Sequence, residues 1–168
     1  MAHKNPSYLW LNGALTPWDD ATIHVSEMGW STVGAVFEGI RGYWNAGHGE
    51  LYIFRLREHL ERLQRSMKLV HLPLDYSIDT LIEATIELAR KNESTQDTYF
   101  FPLAYTADSY HTRYDSMQVE TALQIVTRPM PTHLGAGKGI SAKVSSWRRI
   151  SEDVMPPRVK NLSNYRNG

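Results

Sequence analysis

The sequence predicts an α+β fold in which a small sheet is covered by a layer of helices. Three observations indicate this class: short strand-like runs near the amino terminus, two adjoining amphipathic segments in the middle, and aromatic and β-branched runs after them. The chain has 168 residues, 42% of them hydrophobic, which is enough to bury one ordinary core. We therefore expect one domain over residues 1–131 and the opening of a second, unfinished domain over residues 132–168.

The amino-terminal strands are predicted from turn signals and from alternation. Asn12 and Gly13 are typical of a tight turn between two apolar runs and predict a hairpin. Gly34, Gly39 and Gly42 punctuate a stretch that looks buried, and at these positions the backbone can approach another group closely. The strands are expected at residues 8–11, from residue 14 onward, at 22–25 and at 51–54.

Two amphipathic helices are predicted next. Residues 55–68 carry three leucines and a methionine at spacings of four, three and four, with polar residues between them. Ser77 suits the N-cap of a second helix, which ends at Lys91 and Asn92. Further strands are expected at residues 98–105, at 121–127, and at 140–147, where the second domain opens.

Composition excludes several classes of function. The 18 basic side chains balance 18 acidic ones, so no net field favours a nucleic-acid or membrane-surface partner. The absence of cysteine excludes disulfides and thiolate chemistry. The first six residues lack the apolar core of a signal peptide, and no apolar run is long enough to cross a bilayer, so we expect a cytoplasmic protein.

Metal and phosphate motifs are weak in this sequence. The seven histidines are scattered, and no two of them lie four residues apart as a zinc-binding helix requires, so we expect no metal site. The glycine-rich residues 135–139 resemble a phosphate-binding loop. They lack its four-residue spacer and its following Ser or Thr, which favours a hairpin turn.

One lysine stands apart from the others. Lys160 follows a rigid loop that contains Pro156 and Pro157, and it precedes Tyr165 by five residues. A lysine in a desolvated pocket is an amine poised for Schiff-base formation, because burial disfavours the ammonium form. Taken alone, a lysine is more often a solvated surface group.

Four sequence blocks, one of which begins at Lys160, together form a recognisable pattern. They are residues 36–43 (VFEGIRGY), 54–63 (FRLREHLERL) followed by Ser66, 144–147 (VSSW) and 160–165 (KNLSNY). In order and spacing they resemble the class IV (fold-type IV) pyridoxal-phosphate aminotransferases, and most of all their branched-chain amino-acid aminotransferases. The resemblance implies that residues 132–168 begin the larger, cofactor-binding domain of that fold.

The resemblance also implies roles for individual residues. Lys160 would hold pyridoxal 5′-phosphate as a Schiff base and move a proton between the substrate α-carbon and the cofactor C4′. Arg62 would pair with the cofactor phosphate, and Tyr165 would hydrogen-bond the phenolic oxygen. The substrate-binding residues would be Phe37, Tyr99, Thr32, Phe101 and Met130.

Structural alternatives remain open for three of these residues. Arg62 could instead pair with Glu58 on the helix surface at i, i+4. Phe37 could be an ordinary core residue, and Tyr99 a strand residue packed against its neighbour.

The pocket departs from the bacterial branched-chain pattern. That pattern usually has Tyr, Arg, Trp and Tyr where this chain has Thr32, Phe101, Met130 and His133. In the family the arginine recognises the distal carboxylate of glutamate, and Phe101 cannot hold that charge, because an unpaired buried carboxylate is costly. Either Arg128 or Arg113 replaces it, or the amino donor is not glutamate.

The resemblance implies transamination between a branched-chain or other hydrophobic amino acid and a 2-oxo acid, by a homodimer of branched-chain amino-acid biosynthesis. The altered pocket also fits a D-amino-acid or (R)-amine transaminase, and aminodeoxychorismate lyase would use the same lysine for elimination. A noncatalytic binding or assembly module is the non-enzyme alternative. The family's catalytic unit continues well past the lysine, so we expect little or no transamination from these 168 residues.

Overall fold

The computed structural model describes residues 5–107, 120–131, 139–148 and 150–165. Within these residues the chain forms a sheet, two long helices and one short helix. The strands are β1 Tyr8–Leu11, β2 Ala14–Pro17, β3 Val36–Phe37, β4 Ile40–Asn45, β5 Glu50–Ile53, β6 Thr98–Thr106 and β7 Thr121–Pro129. The α-helices are α1 Met28–Val33, α2 Leu56–Leu69 and α3 Ile78–Lys91, and 3₁₀ turns lie at Trp18–Asp20 and Leu162–Tyr165.

The predicted hairpin is confirmed. Asn12 and Gly13 have φ of 47° and 98° and join β1 to β2, as a tight turn with two positive φ angles requires. Asn12 also ties this turn to β7, because its side-chain oxygen accepts from the Leu123 N–H at 2.8 Å and its own N–H donates to the Leu123 carbonyl at 3.0 Å.

The sheet is antiparallel, with strand order β2-β1-β7-β6-β4-β5, and β3 pairs with the second half of β6. The register of β3 on β6 is the same as that of β4 on β6, so these two short strands follow one line. They are interrupted opposite Pro102. The Pro102 carbonyl accepts from the Glu38 N–H at 3.0 Å, but proline has no N–H to donate back to β3 and β4. Glu38 and Gly39 therefore lie at a break in the pairing.

The two helices α2 and α3 cover one face of the sheet and match the predicted helices within a residue or two at each end. Ser77 is the N-cap of α3, and its hydroxyl oxygen accepts from the Thr80 N–H at 3.0 Å. The core lies between the helices and the strands. Its fully buried members include Leu60, Leu63, Met67, Leu81, Leu88, Val36, Ala104 and Ile125.

Two strand predictions are wrong. Residues 22–25 form no strand and lead into α1, and residues 140–147 form none either. Alternation alone does not make a strand, because the backbone groups need a neighbouring strand and the apolar side chains need a surface to cover them. Among the described residues these segments have neither: Val25 is 74% exposed and Val144 is 94% exposed.

The short helix α1 was not predicted. Its six residues include Gly29 and the β-branched Thr32 and Val33, so the sequence carries no helical period long enough to recognise. No helix in the described ranges is long and apolar enough to cross a membrane. The division of the chain at residues 131 and 132 stays a prediction, and residues 132–138 lie outside the described part.

Candidate active site

The segment around Lys160 is held by backbone hydrogen bonds at the free edge of β3. The Lys160 carbonyl accepts from the Phe37 N–H at 3.0 Å, and the Leu162 N–H donates to the Ala35 carbonyl at 2.9 Å. The Lys160 N–H donates to the hydroxyl oxygen of Ser66, a buried residue of α2, at 3.2 Å. Both peptide groups of the lysine are therefore fixed, one to the sheet and one to the helical layer.

The lysine side chain lies in a cavity of about 400 Å³ that Arg62 and Tyr165 also line. Its Nζ donates to the Tyr165 hydroxyl at 2.8 Å and lies 4.4 Å from the centre of the Phe37 ring. The three residues predicted to contact the cofactor therefore lie together. Within the described residues the cavity is open to solvent: Lys160 is partly exposed and Tyr165 is 45% exposed, because exposed side chains form much of the cavity wall.

Arg62 is oriented by a carboxylate beneath it. Glu38 is fully buried, and its two oxygens accept from Arg62 Nε at 2.5 Å and from Arg62 Nη2 at 2.6 Å. His59 Nδ1 lies 2.9 Å from the second oxygen. The hydrogen bond with Glu38 raises the pKa of Arg62, so the guanidinium keeps its charge.

The surface pairing considered for Arg62 does not form. Glu58 instead accepts from Arg55 at 2.9 Å, three residues before it on the chain. Sequence reasoning missed Glu38 and His59 as members of this site. The signal was present: Glu38 is a carboxylate inside the apolar run from Val36 to Ile40, and a buried carboxylate needs a cationic or hydrogen-bonding partner.

An aromatic cluster lies on the sheet face opposite the helices. The Phe37 ring is 5.4 Å from the Phe101 ring and 5.2 Å from the Tyr165 ring, and Tyr99 stacks on Phe101 at 6.3 Å. Gly39 makes room for this cluster, because a Cβ at that position would lie 2.2 Å from the Tyr99 hydroxyl. The prediction of close backbone approach is confirmed at Gly39 and at Gly42, where a Cβ would lie 3.1 Å from Phe100 Cε2. It is wrong at Gly34, where no described atom lies within 4 Å of such a Cβ.

Two arginines flank Tyr99 across the sheet. Arg41 and Arg128 are its register partners on β4 and β7, so all three lie on one face. The Arg128 guanidinium lies 4.8 Å from the centre of the Tyr99 ring. Burial raises the pKa of Tyr99 and Arg128 opposes part of that rise, so the phenol is a neutral hydrogen-bond donor near neutral pH.

None of the five predicted substrate residues lines the Lys160 cavity. Phe37, Tyr99 and Phe101 form the aromatic cluster, and Thr32 and Met130 belong to neither group. Thr32 is exposed on α1, and its hydroxyl donates to the carbonyls of Met28 and Gly29, both at 3.1 Å. Met130 contributes its carbonyl, which accepts from Arg41 Nη2 at 3.0 Å. Arg113, His133 and residues 135–138 lie outside the described residues.

The charges around Lys160 suit an anion. The cavity wall carries Arg62, Arg65, Arg158 and Lys160, and it includes no carboxylate side chain among the residues described there. Within the described ranges no group of three or more His, Asp or Glu side chains could hold a metal ion. The cavity therefore combines an amine, a phenol and three guanidinium groups.

The sequence comparison identifies the family. The family described as amino-transferase class IV matches residues 35–167, which contain every residue of the Lys160 cavity. The chain belongs to this family.

Known relatives make the similarity more specific. The chain is 36% identical over 168 residues to the branched-chain-amino-acid aminotransferase of Salmonella typhimurium, covering 98% of the chain and 53% of that enzyme. It is 44% identical to the branched-chain amino acid aminotransferase of Thermobaculum terrenum, whose crystal structure in its PLP form superposes with a TM-score of 0.89 over 97% of this chain and 53% of that one. The Escherichia coli structure gives 34% identity and a TM-score of 0.80. The chain thus spans about half the length of the relatives it matches.

Proposed function

We propose that this chain binds pyridoxal 5′-phosphate through Lys160 and forms part of an aminotransferase for branched-chain or other hydrophobic amino acids. The observation that carries the proposal is the meeting of three side chains in one cavity. Lys160 Nζ lies 2.8 Å from the Tyr165 hydroxyl, and Arg62 lines the same space. The similarity to branched-chain aminotransferases supports the choice of reaction.

The residues present fit this cofactor. A volume of about 400 Å³ lies in the range of small-molecule sites. The guanidinium of Arg62 suits a phosphate group, because its planar fork matches two oxygens. Lys160 supplies an amine for an aldehyde, and Tyr165 supplies a hydroxyl for a phenolic oxygen.

The chemistry divides between cofactor and protein. When bound, pyridoxal phosphate supplies an aldehyde that accepts an amino group and a ring that stabilises negative charge at the substrate α-carbon. Lys160 Nζ would hold the aldehyde carbon, and its free amine would carry the proton that leaves the substrate α-carbon. Tyr165 would hold the phenolic oxygen, and Arg62 would anchor the phosphate.

The substrate side chain is proposed to lie on the aromatic cluster. Phe101 is partly exposed and packs on the buried Phe37 ring, whose centre lies 4.4 Å from Lys160 Nζ, so it offers apolar surface that suits a hydrocarbon side chain. Arg128 lies over Tyr99 and is the described cation that we assign to a second carboxylate, in place of the arginine absent at Phe101. A dicarboxylic amino donor would then bind next to Tyr99.

A homodimer is part of the proposal. Ile23, Val25, Met28 and Val33 are each at least 50% exposed and lie in or just before α1. The Val33 carbonyl accepts from Ser163 at 2.9 Å, so this apolar surface adjoins the segment that carries the lysine. A second copy that covers it would bury the surface beside the site.

Trapping with borohydride tests the proposed function. The chain is incubated with pyridoxal phosphate and reduced, and the modified peptide is identified by mass spectrometry. We expect the adduct on Lys160, and we expect Lys160→Ala to abolish it. Lys143→Ala, which removes an exposed lysine, is the matched control and leaves it unchanged. Adduct spread over several surface lysines, or retained in Lys160→Ala, would refute the proposal.

Competition by amines before reduction tests the substrate class. A substrate amine takes the place of Lys160 Nζ, so it lowers the yield of the Lys160 adduct. We expect L-leucine to lower it more than D-alanine or (R)-1-phenylethylamine at equal concentration. The reverse order would contradict the branched-chain assignment and favour a D-amino-acid or (R)-amine transaminase.

A further inference from the structure

Glu38 is a buried carboxylate that the proposed chemistry does not itself use. It is fully buried and lies where β3 gives way to β4. By strand alternation its side chain lies on the helix-facing side, between the neighbours Phe37 and Gly39 that face the aromatic cluster. A charge in such a place is unfavourable unless its hydrogen bonds are complete.

Both carboxylate oxygens of Glu38 have hydrogen-bond partners, and two of the three contacts come from one arginine. Arg62 gives two donors, Nε and Nη2, to the two carboxylate oxygens, and His59 Nδ1 adds a third contact at 2.9 Å. Because the guanidinium is planar, binding one of its edges fixes the plane of the whole group. Nη1 makes no hydrogen bond to any described residue, so it can donate to a ligand in the cavity that Arg62 lines.

The other two arginines of the cavity differ in this respect. Arg65 and Arg158 are exposed and form no ion pair with the part of the chain that the structure describes. An unpaired arginine loses more side-chain freedom when it binds an anion than one already held in place. Arg62 is therefore the arginine of this cavity that is ordered before an anion arrives.

Helix α2 connects this ordered arginine to the lysine. Ser66, whose hydroxyl oxygen accepts from the Lys160 N–H, lies four residues after Arg62, so the two side chains share one face of the helix about 6 Å apart. Phe37, whose N–H holds the Lys160 carbonyl, is the residue before Glu38. The carboxylate thus belongs to the framework that sets the distance between the amine and the guanidinium.

We propose that Glu38 is a positioning residue that orients Arg62 toward the phosphate group of the cofactor, with His59 holding the carboxylate from its other side. The inference rests on the proposed function. Its specific consequence is that Glu38 governs recognition of the phosphate and leaves recognition of the aldehyde ring unchanged.

The test compares pyridoxal 5′-phosphate with pyridoxal, which lacks the phosphate. Dissociation constants of both are measured for the chain and for Glu38→Gln. We expect this substitution to raise the dissociation constant of pyridoxal phosphate about tenfold or more. The dissociation constant of pyridoxal should change by less than about twofold. Glu58→Gln removes the same charge from an exposed site paired with Arg55, and it leaves both constants unchanged.

Two further variants keep the test decisive if Glu38→Gln folds poorly. Arg62→Lys keeps the charge but lacks the fork that Glu38 holds, and it should lose the same preference for the phosphorylated ligand. Glu38→Asp keeps the carboxylate and should restore part of that preference. An equal weakening of both ligands in these variants would show a structural role and overturn the inference.

The outcomes separate the two proposals. If the unaltered chain yields no Lys160 adduct with pyridoxal phosphate, the proposed function fails. If it yields the adduct and folded Glu38→Gln keeps the preference for the phosphorylated ligand, the proposed function stands and the positioning inference is overturned, whatever Arg62→Lys shows.

Discussion

The sheet with its two long helices and the segment 139–165 are built differently. In the first region, Leu60, Leu63 and Leu88 are fully buried between helices and strands. In the second, Val144 is 94% exposed and Trp147 is 73% exposed. The first region is therefore stabilised by apolar packing. Among the described residues, the second is joined to it near Lys160, by hydrogen bonds and by the side chain of Val159, which is 2% exposed and packs into the core.

This difference shows how the candidate site is constructed. The residue with the proposed covalent chemistry belongs to the exposed segment, while Glu38, Arg62 and Ser66 belong to the packed region. Lys160 is placed by a few contacts with groups that the core already holds rigid. Substitutions in the core should therefore alter global stability, and substitutions at these contacts should alter the site.

The largest expected effect on stability comes from a substitution in the core of the packed region. Leu63→Ala leaves a cavity in the core, and we expect it to lower the free energy of unfolding by about 3 kcal/mol. Val144→Ala, in the exposed segment, should change it by less than about 0.5 kcal/mol. Urea unfolding measures both values. Similar effects of the two substitutions would mean that the segment packs as tightly as the core.

A smaller effect is expected at the aromatic cluster. Gly39→Ala would place a Cβ 2.2 Å from the Tyr99 hydroxyl, so the ring must move away from Phe101, at a cost of about 2 kcal/mol. Combining it with Tyr99→Phe removes the clashing atom and should recover part of this loss. Gly29→Ala, at a position with nothing within 4 Å, is the control and should cause no loss. If thermal unfolding shows no coupling between positions 39 and 99, the close approach is unimportant.

The smallest expected effect concerns the hydrogen bond that joins the two regions at Ser66. Ser66→Ala removes the acceptor of the Lys160 N–H, and a hydrogen bond worth about 1.5 kcal/mol corresponds to roughly tenfold faster exchange of that amide. Hydrogen exchange followed by NMR measures this directly. Ser145→Ala removes an exposed acceptor of the Trp147 N–H within the segment, and it should leave the Lys160 amide unchanged. Unaltered exchange in Ser66→Ala would mean that the segment is held without this bond.

Elements with strong local signals were predicted well. The Asn12 and Gly13 turn and the two long helices follow from neighbouring residues, because positive φ angles and a 3.6-residue period are local properties. Residues 22–25 and 140–147 were assigned to strands wrongly, because a strand depends on a partner that the segment itself does not contain. Helix α1 was missed because six residues with a glycine carry too little periodicity.

The candidate site was predicted unevenly for a similar reason. Lys160, Arg62 and Tyr165 were named from the resemblance, and the structure brings them together. Glu38 stood inside a quoted block, but its partners on α2 follow more than twenty residues later and were not predicted. Pairing over that distance depends on which helix covers which strand.

The amino-acid sequence by itself determined the α+β class, the long helices, the first turn and the family, because these depend on local periodicity and on motif order. Only the tertiary structure decided that Arg62 pairs with Glu38, that Gly39 yields space to Tyr99, and that Ser66 holds Lys160. Each of these contacts joins residues far apart in the chain. They form because a buried carboxylate, a packed ring and a backbone N–H each need a partner. The packing of the helices against the sheet decides which residue lies close enough to be that partner.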